Sequence, residues 1–240
     1  MLRGSQSEGR VTHERSGRDI EFASDGDRVR GYLALPPGGQ GPGVVVVQEW
    51  WGLVDHVRAV CDRLAREGFV ALAPDLYRGE TASDPDRAGR LMMGLEIPRA
   101  ARDLDGAVAA LQNQAAVTGA KVGAIGFCMG GQLALFAATR NRKIGAVVDC
   151  YGVHPNVKLE LAGLDAAVLG IFAERDSYVP PEVARKLEAD LRAAGKRVHA
   201  TIYPGVDHAF LNDTRPDVYD ADAASRAWAE AVAFLRAELA

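Results

Sequence analysis

The run Lys121-Val122-Gly123-Ala124-Ile125-Gly126-Phe127 is short and apolar, and it passes directly into Cys128-Met129-Gly130-Gly131 and then Gln132-Leu133-Ala134-Leu135-Phe136, apolar at helical spacing. That order predicts a strand over 121–127, a sharp turn at Cys128 and a helix over 130–139. Gly126-x-Cys128-x-Gly130 has the spacing of a nucleophile elbow, with a thiol in place of the usual hydroxyl. At such a turn the incoming strand and the outgoing helix crowd together, so both flanking positions favour a residue without a Cβ. A helix that begins beside the sulfur aims its free amides and positive dipole end at it, which favours a thiolate. A second reading needs less: a glycine-rich turn around a buried, inert cysteine. The remainder of the chain has to choose between them.

Strands are expected at 18–23 and 28–35, joined by the turn Ser24-Asp25-Gly26-Asp27, and again at 44–47, 69–73, 146–151, 167–173 and 198–203. Helices are expected at 55–66, 99–114, 180–194 and 221–239, while 78–98 reads as an irregular covering segment containing Leu91-Met92-Met93. The alternation implies one α/β domain over 18–240, a doubly wound, mainly parallel sheet of about eight strands flanked by helices, with sites at the strands' carboxyl ends. Hydrophobic residues at 48% and charged residues at 25% fit a soluble domain. No apolar run reaches the roughly 18 residues of a membrane span, so no membrane partner is expected. A net charge of -4 argues against nucleic acid. Cys61, Cys128 and Cys150 are too far apart for a disulfide framework or a metal pair, which suits a reducing compartment, and residues 1–17 lack the apolar core of a secretory signal. A leader at 1–17, a cytoplasmic location and a monomer are the expectations.

In the α/β-hydrolase arrangement the triad follows the order nucleophile, acid, histidine, each on a loop after a strand. Glu174-Arg175-Asp176-Ser177-Tyr178-Val179-Pro180 follows the strand at 167–173 and offers Asp176; Pro204-Gly205-Val206-Asp207-His208-Ala209-Phe210 follows the strand at 198–203 and offers His208. Rival histidines are His13, His56, His154 and His199, each suited to a surface or structural role. Asp207 adjoins His208 too closely to orient it, and Asp149 is the serious rival acid. Glu49, in Gln48-Glu49-Trp50-Trp51-Gly52 at the end of a buried strand, is expected as a buried, perturbed carboxylate rather than a solvated one. Trp50 and Trp51 are candidates to line a pocket, with plain packing an equal alternative for Trp51.

Taken together, Gln48 to Gly52, Ala73-Pro74-Asp75-Leu76-Tyr77, Gly126 to Gly131, Tyr151-Gly152-Val153, Asp176 with Val179-Pro180, and Tyr203-Pro204-Gly205 through Phe210 resemble the dienelactone hydrolase (carboxymethylenebutenolidase) family. The resemblance implies Cys128 as nucleophile, His208 as base, Asp176 as its orienter, and Glu49 as the glutamate that contacts the resting thiol and assists its activation. Backbone donors for an oxyanion would come from Met129 and Trp50. The implied chemistry is hydrolysis of a small-molecule lactone or ester through a thioester, without metal or organic cofactor. Further pocket candidates are Trp51, Tyr151, Arg87, Arg90, Met92 and Phe210. Family members acting on dienelactone carry arginines for its carboxylate, one shortly after the histidine and one after the Asp75-Leu76-Tyr77 stretch. Here Leu211-Asn212-Asp213 follows Phe210, which leaves Arg87 or Arg90 to substitute and implies a different, more apolar lactone or ester. Two other classes stay open: a non-catalytic binding protein on the same fold, and a redox-responsive thiol protein in which Cys150 resolves oxidised Cys128.

Overall fold

The computed structural model describes residues 15–240. Of the leader expected at 1–17, residues 1–14 lie outside the described residues, as does His13. Strands β1 (Arg18–Ser24) and β2 (Asp27–Ala34) form the expected hairpin, with Ser24 opposite Asp27. Asp25 and Gly26, at φ 44° and 83°, take the left-handed pair of conformations that matches the twist of a two-residue hairpin.

The sheet continues with β3 (Gly41–Val47), β4 (Val70–Pro74), β5 (Val117–Phe127), β6 (Ile144–Cys150), β7 (Ala167–Ala173) and β8 (Val198–Tyr203). Its order is β1-β2-β4-β3-β5-β6-β7-β8, antiparallel at the β1/β2 and β2/β4 pairs and parallel elsewhere. After β3 the chain crosses to β4 on one side, and β5 then pairs with β3 on the other. The order therefore reverses between β3 and β5, and a crevice opens beyond their carboxyl ends.

Side chains alternate across the parallel strands. Val44, Val46, Ile125 and Phe127 face α1 (Asp55–Arg66) and α6 (Ala221–Leu239), while Val45, Val47 and Ala124 face α3 (Ile97–Gln112) and α4 (Met129–Arg140). Helix α5 (Pro181–Ala193) packs along β7 and β8. At the β2 end, the buried Asp62 of α1 accepts hydrogen bonds from Ser16 N and Oγ, Gly17 N and the Tyr32 hydroxyl, at 2.9 to 3.3 Å.

Two expectations change. Within 78–98 there is a helix, α2 (Pro85–Met93), where irregular chain was expected. Asp84 caps it by accepting from Arg87 N, and Pro85 presets the first turn, so it forms although Ala88 is its only fully buried residue. β5 also starts at Val117 rather than at 121, because an exposed stretch pairs with Gly41 and Pro42 before a register shift.

Candidate active site

Cys128 joins β5 to α4 at φ 53° and ψ -125°. A non-glycine residue held there costs of order 1–3 kcal/mol, which the surrounding structure must absorb. It does so through hydrogen bonds: Cys128 N donates to Cys150 O at 3.0 Å, and Cys128 O accepts from Gly131 N at 2.9 Å and Val153 N at 3.2 Å. The flanking glycines are required sterically. A Cβ on Gly126 would lie 1.9 Å from Gly130 O, and one on Gly130 would lie 2.4 Å from the carbonyl oxygens of Val47 and Gln48.

The Cys128 thiol is held far above its ordinary value, first by burial and next by the negative charge of Glu49. The N–H groups of Met129 and Trp50 act in the opposite sense and favour the thiolate, so the two amides expected to receive an oxyanion are those already directed at sulfur.

Asp176 and His208 are joined by a 2.7 Å contact from Nδ1 to Oδ2. The other Asp176 oxygen accepts from Tyr178 N and Val179 N at 2.8 and 2.9 Å. Burial works against its charge, but the bond to His208 and these amides outweigh it, and the carboxyl stays below the ordinary range. An ionised Asp176 fixes the imidazole proton on Nδ1, which leaves Nε2 as the acceptor. Nε2 is buried and without a partner among the described residues. Tyr151 and Tyr178 both contact the imidazole ring at 4.9 Å between centroids.

Glu49 is 2% exposed. Its Oε2 accepts from Asn212 Nδ2 at 2.7 Å, while Oε1 is buried and unpartnered among the described residues. Glu49, Cys128 and His208 share a cavity of about 200 Å³ whose walls include Trp50, Trp51, Met92, Val153, Tyr178 and Val218. The indoles of Trp50 and Trp51 meet edge-on at 5.1 Å. Arg175 and Arg215 also border the cavity, each ion-paired, with Asp207 and Asp217 respectively.

The structure thus brings together Cys128, Asp176, His208, Glu49, Trp50, Met129, Trp51 and Met92. Four pocket candidates are placed elsewhere. Tyr151 and Phe210 are fully buried, Tyr151 in contact with the imidazole and Phe210 beyond it, and neither lines the cavity. Arg87 pairs with Glu80, and neither it nor Arg90 borders the cavity, because α2 turns them outward while presenting Met92. The rival acid Asp149 is fully buried at the end of β6 against Gly131 and Gly152, with neither oxygen completing a hydrogen bond among the described residues. Burial pushes its carboxyl up to about 7, and the Gly152 N–H opposes this only in part. Cys150 is fully buried, and burial together with Asp149 holds its thiol well above the ordinary value, the reverse of what a resolving thiol needs. Asn212, Tyr178, Arg175 and Arg215 carried no site role in the sequence reading.

Residues 29–239 match the model of the dienelactone hydrolase family. The chain is 38% identical over 227 residues to "Protein usf" of Aquifex pyrophilus, covering 92% of this chain and 98% of that one. It is 36% identical over 230 residues to the Aquifex aeolicus protein named "Putative carboxymethylenebutenolidase", covering 93% and 99%. Among solved structures, the dienelactone hydrolase-like promiscuous phosphotriesterase P91 from metagenomic libraries superposes with a TM-score of 0.84 at 26% identity, covering 93% and 98%. An esterase from Pyrobaculum calidifontis, at 20% identity and a TM-score of 0.71, shares the fold, with 95% and 88% covered. The fold is that of the α/β-hydrolases.

Proposed function

Since the chain belongs to the dienelactone hydrolase family, we propose that it is a cysteine-dependent hydrolase that opens small lactones or cleaves small carboxylic esters through a thioester acyl-enzyme. The observation that carries this reading is the convergence of the Cys128 elbow, the Asp176–His208 pair and Glu49 on one cavity.

Burial and the Glu49 charge oppose a free thiolate, so sulfur gives up its proton only when something nearby accepts it. Glu49 is the acceptor, and the transfer moves one negative charge from carboxylate to sulfur without adding a second. The thiolate attacks the substrate carbonyl, and the oxyanion is received by the N–H groups of Trp50 and Met129. Collapse breaks the acyl–oxygen bond, and the alkoxide, departing from an ester or still tethered in an opened lactone, takes back from Glu49 the proton the thiol gave up. Water then enters, His208 Nε2 takes its proton, and hydroxide attacks the thioester. When the second tetrahedral intermediate collapses, sulfur recovers its proton from the imidazolium that Asp176 has stabilised.

The apolar walls of the cavity, and the carboxylate partners already held by Arg175 and Arg215, favour neutral, apolar acyl groups over carboxylate-bearing ones. The test is rapid mixing with p-nitrophenyl acetate beside a panel of lactones and dienelactone. A burst of nitrophenol stoichiometric with enzyme is expected, abolished by iodoacetamide and by Cys128→Ser. His208→Ala is expected to keep the burst and to lower deacylation at least about a hundredfold. Turnover that survives iodoacetamide, or that is equal in Cys128→Ser, would remove the thiol from the mechanism. A rate on dienelactone matching that on aryl esters would overturn the substrate preference.

A further inference from the structure

We propose that Asn212 is a positioning residue for the thiol-activating carboxylate: it anchors Glu49 by one oxygen and thereby dedicates the other to the proton of Cys128. The inference rests on the hydrolytic reading above and extends it to a residue outside the triad.

An amide can offer either its oxygen or its NH2 to a neighbour, and here the choice is forced. Asn212 Oδ1 is taken by Thr214, whose N–H and hydroxyl donate to it at 3.0 and 2.6 Å. Nδ2 must then point the other way, where it donates to Glu49 Oε2 at 2.7 Å. Asn212 is 1% exposed, so no bulk water competes for this bond. Oε2 is held in place by the amide. Oε1 has no partner among the described residues, is buried, and shares the cavity with Cys128. In the step this arrangement serves, the Sγ–H bond breaks and an Oε1–H bond forms. Sulfur keeps the electron pair, Glu49 becomes a neutral acid, and the Asn212 bond to Oε2 persists throughout. Because Asn212 carries no charge, it fixes the carboxylate without adding a cation that would compete with the thiol's proton for it.

The experiment follows the burst and steady phases of p-nitrophenyl acetate hydrolysis in wild type, Asn212→Leu, Thr214→Val, Glu49→Gln and the Glu49→Gln/Asn212→Leu double variant, with thermal melts to correct for folded fraction. Asn212→Leu should slow acylation by about tenfold or more and leave deacylation within about twofold, since the second half-reaction belongs to His208 and Asp176. Thr214→Val should have a smaller effect in the same direction, because the Thr214 N–H remains. In the Glu49→Gln background, Asn212→Leu should add less than about twofold. An unchanged acylation rate in Asn212→Leu, equal slowing of both phases, or the same added loss without Glu49 would each overturn the assignment. If Asn212→Leu does not fold, Asn212→Ala is read by the same criteria. Failure of the hydrolytic reading has its own signature, no turnover in wild type or a burst unchanged in Cys128→Ala, so the two cannot be confused.

Discussion

At Asp176 burial and hydrogen bonding oppose one another, and the bonds win; at Asp149 burial meets too few donors and wins instead. The two carboxyls therefore pull on stability in opposite directions. Asp176 sits below its unfolded value, so its stabilisation is present above that value and is lost as pH falls through the lower folded one. Asp149 is held up to about 7, above its unfolded value, so its contribution is full at low pH and is lost as pH rises through about 7. A melting series from about pH 4 to about pH 8 should show wild type losing stability progressively up to about pH 7 and levelling off above it, and Asp149→Asn losing much of that decline. Asp176→Asn, which supplies the wrong tautomer to His208, should lower kcat by about 10³ to 10⁴, measured on aryl esters. Cys128, Asp176 and His208 could be found in the sequence because each stands on a short loop immediately after a strand. Asn212 could not: its partner Glu49 is 163 residues away, and only the folded β3 and β8 ends bring them together.

The elbow is an element whose sequence leaves little freedom. Gly126→Ala should displace the turn or destabilise it strongly, since its added carbon would fall 1.9 Å from a backbone oxygen that has nowhere to move. Its expected outcome is loss of the acetate burst together with a lowered melting temperature. Helix α2 is the opposite case. Nothing lies within 4 Å of a Cβ placed on Gly89, so Gly89→Ala should stabilise by about 0.5–1 kcal/mol through helix propensity. The gain should appear as a higher urea midpoint at constant slope with kcat unchanged. This segment escaped the sequence reading because nine residues interrupted by a glycine give a weak period; the usable signal was the Asp84-Pro85 pair, a cap followed by a helix-starting proline. The β1–β2 hairpin, with Asp25-Gly26 at its tip, was explicit by contrast.

Across the whole molecule, four strand ends that are distant in sequence, those of β3, β5, β7 and β8, supply Glu49, Cys128, Asp176 and His208 to one crevice. Alternating strands and helices made the layered sheet legible, and the loops after its strands made the site legible. The order of the strands was not, because local apolar pattern says that a strand is buried without saying which strands neighbour it. Far from the crevice, Asp62 binds residues 16 and 17 and Tyr32 to α1. Asp62→Ala would strand the buried Tyr32 hydroxyl and release residues 16 and 17, and should cost about 1–3 kcal/mol, seen as a lower urea midpoint with kcat on aryl esters intact. The indole pair at the mouth has a different use. Of the 3 tryptophans in the chain, Trp50 and Trp51 border the cavity, while Trp228 lies on α6 beneath the Arg63 guanidinium at 4.0 Å. Two of the three indoles thus border the cavity that holds the sulfur, and their fluorescence can time the arrival and departure of an acyl group without any added label.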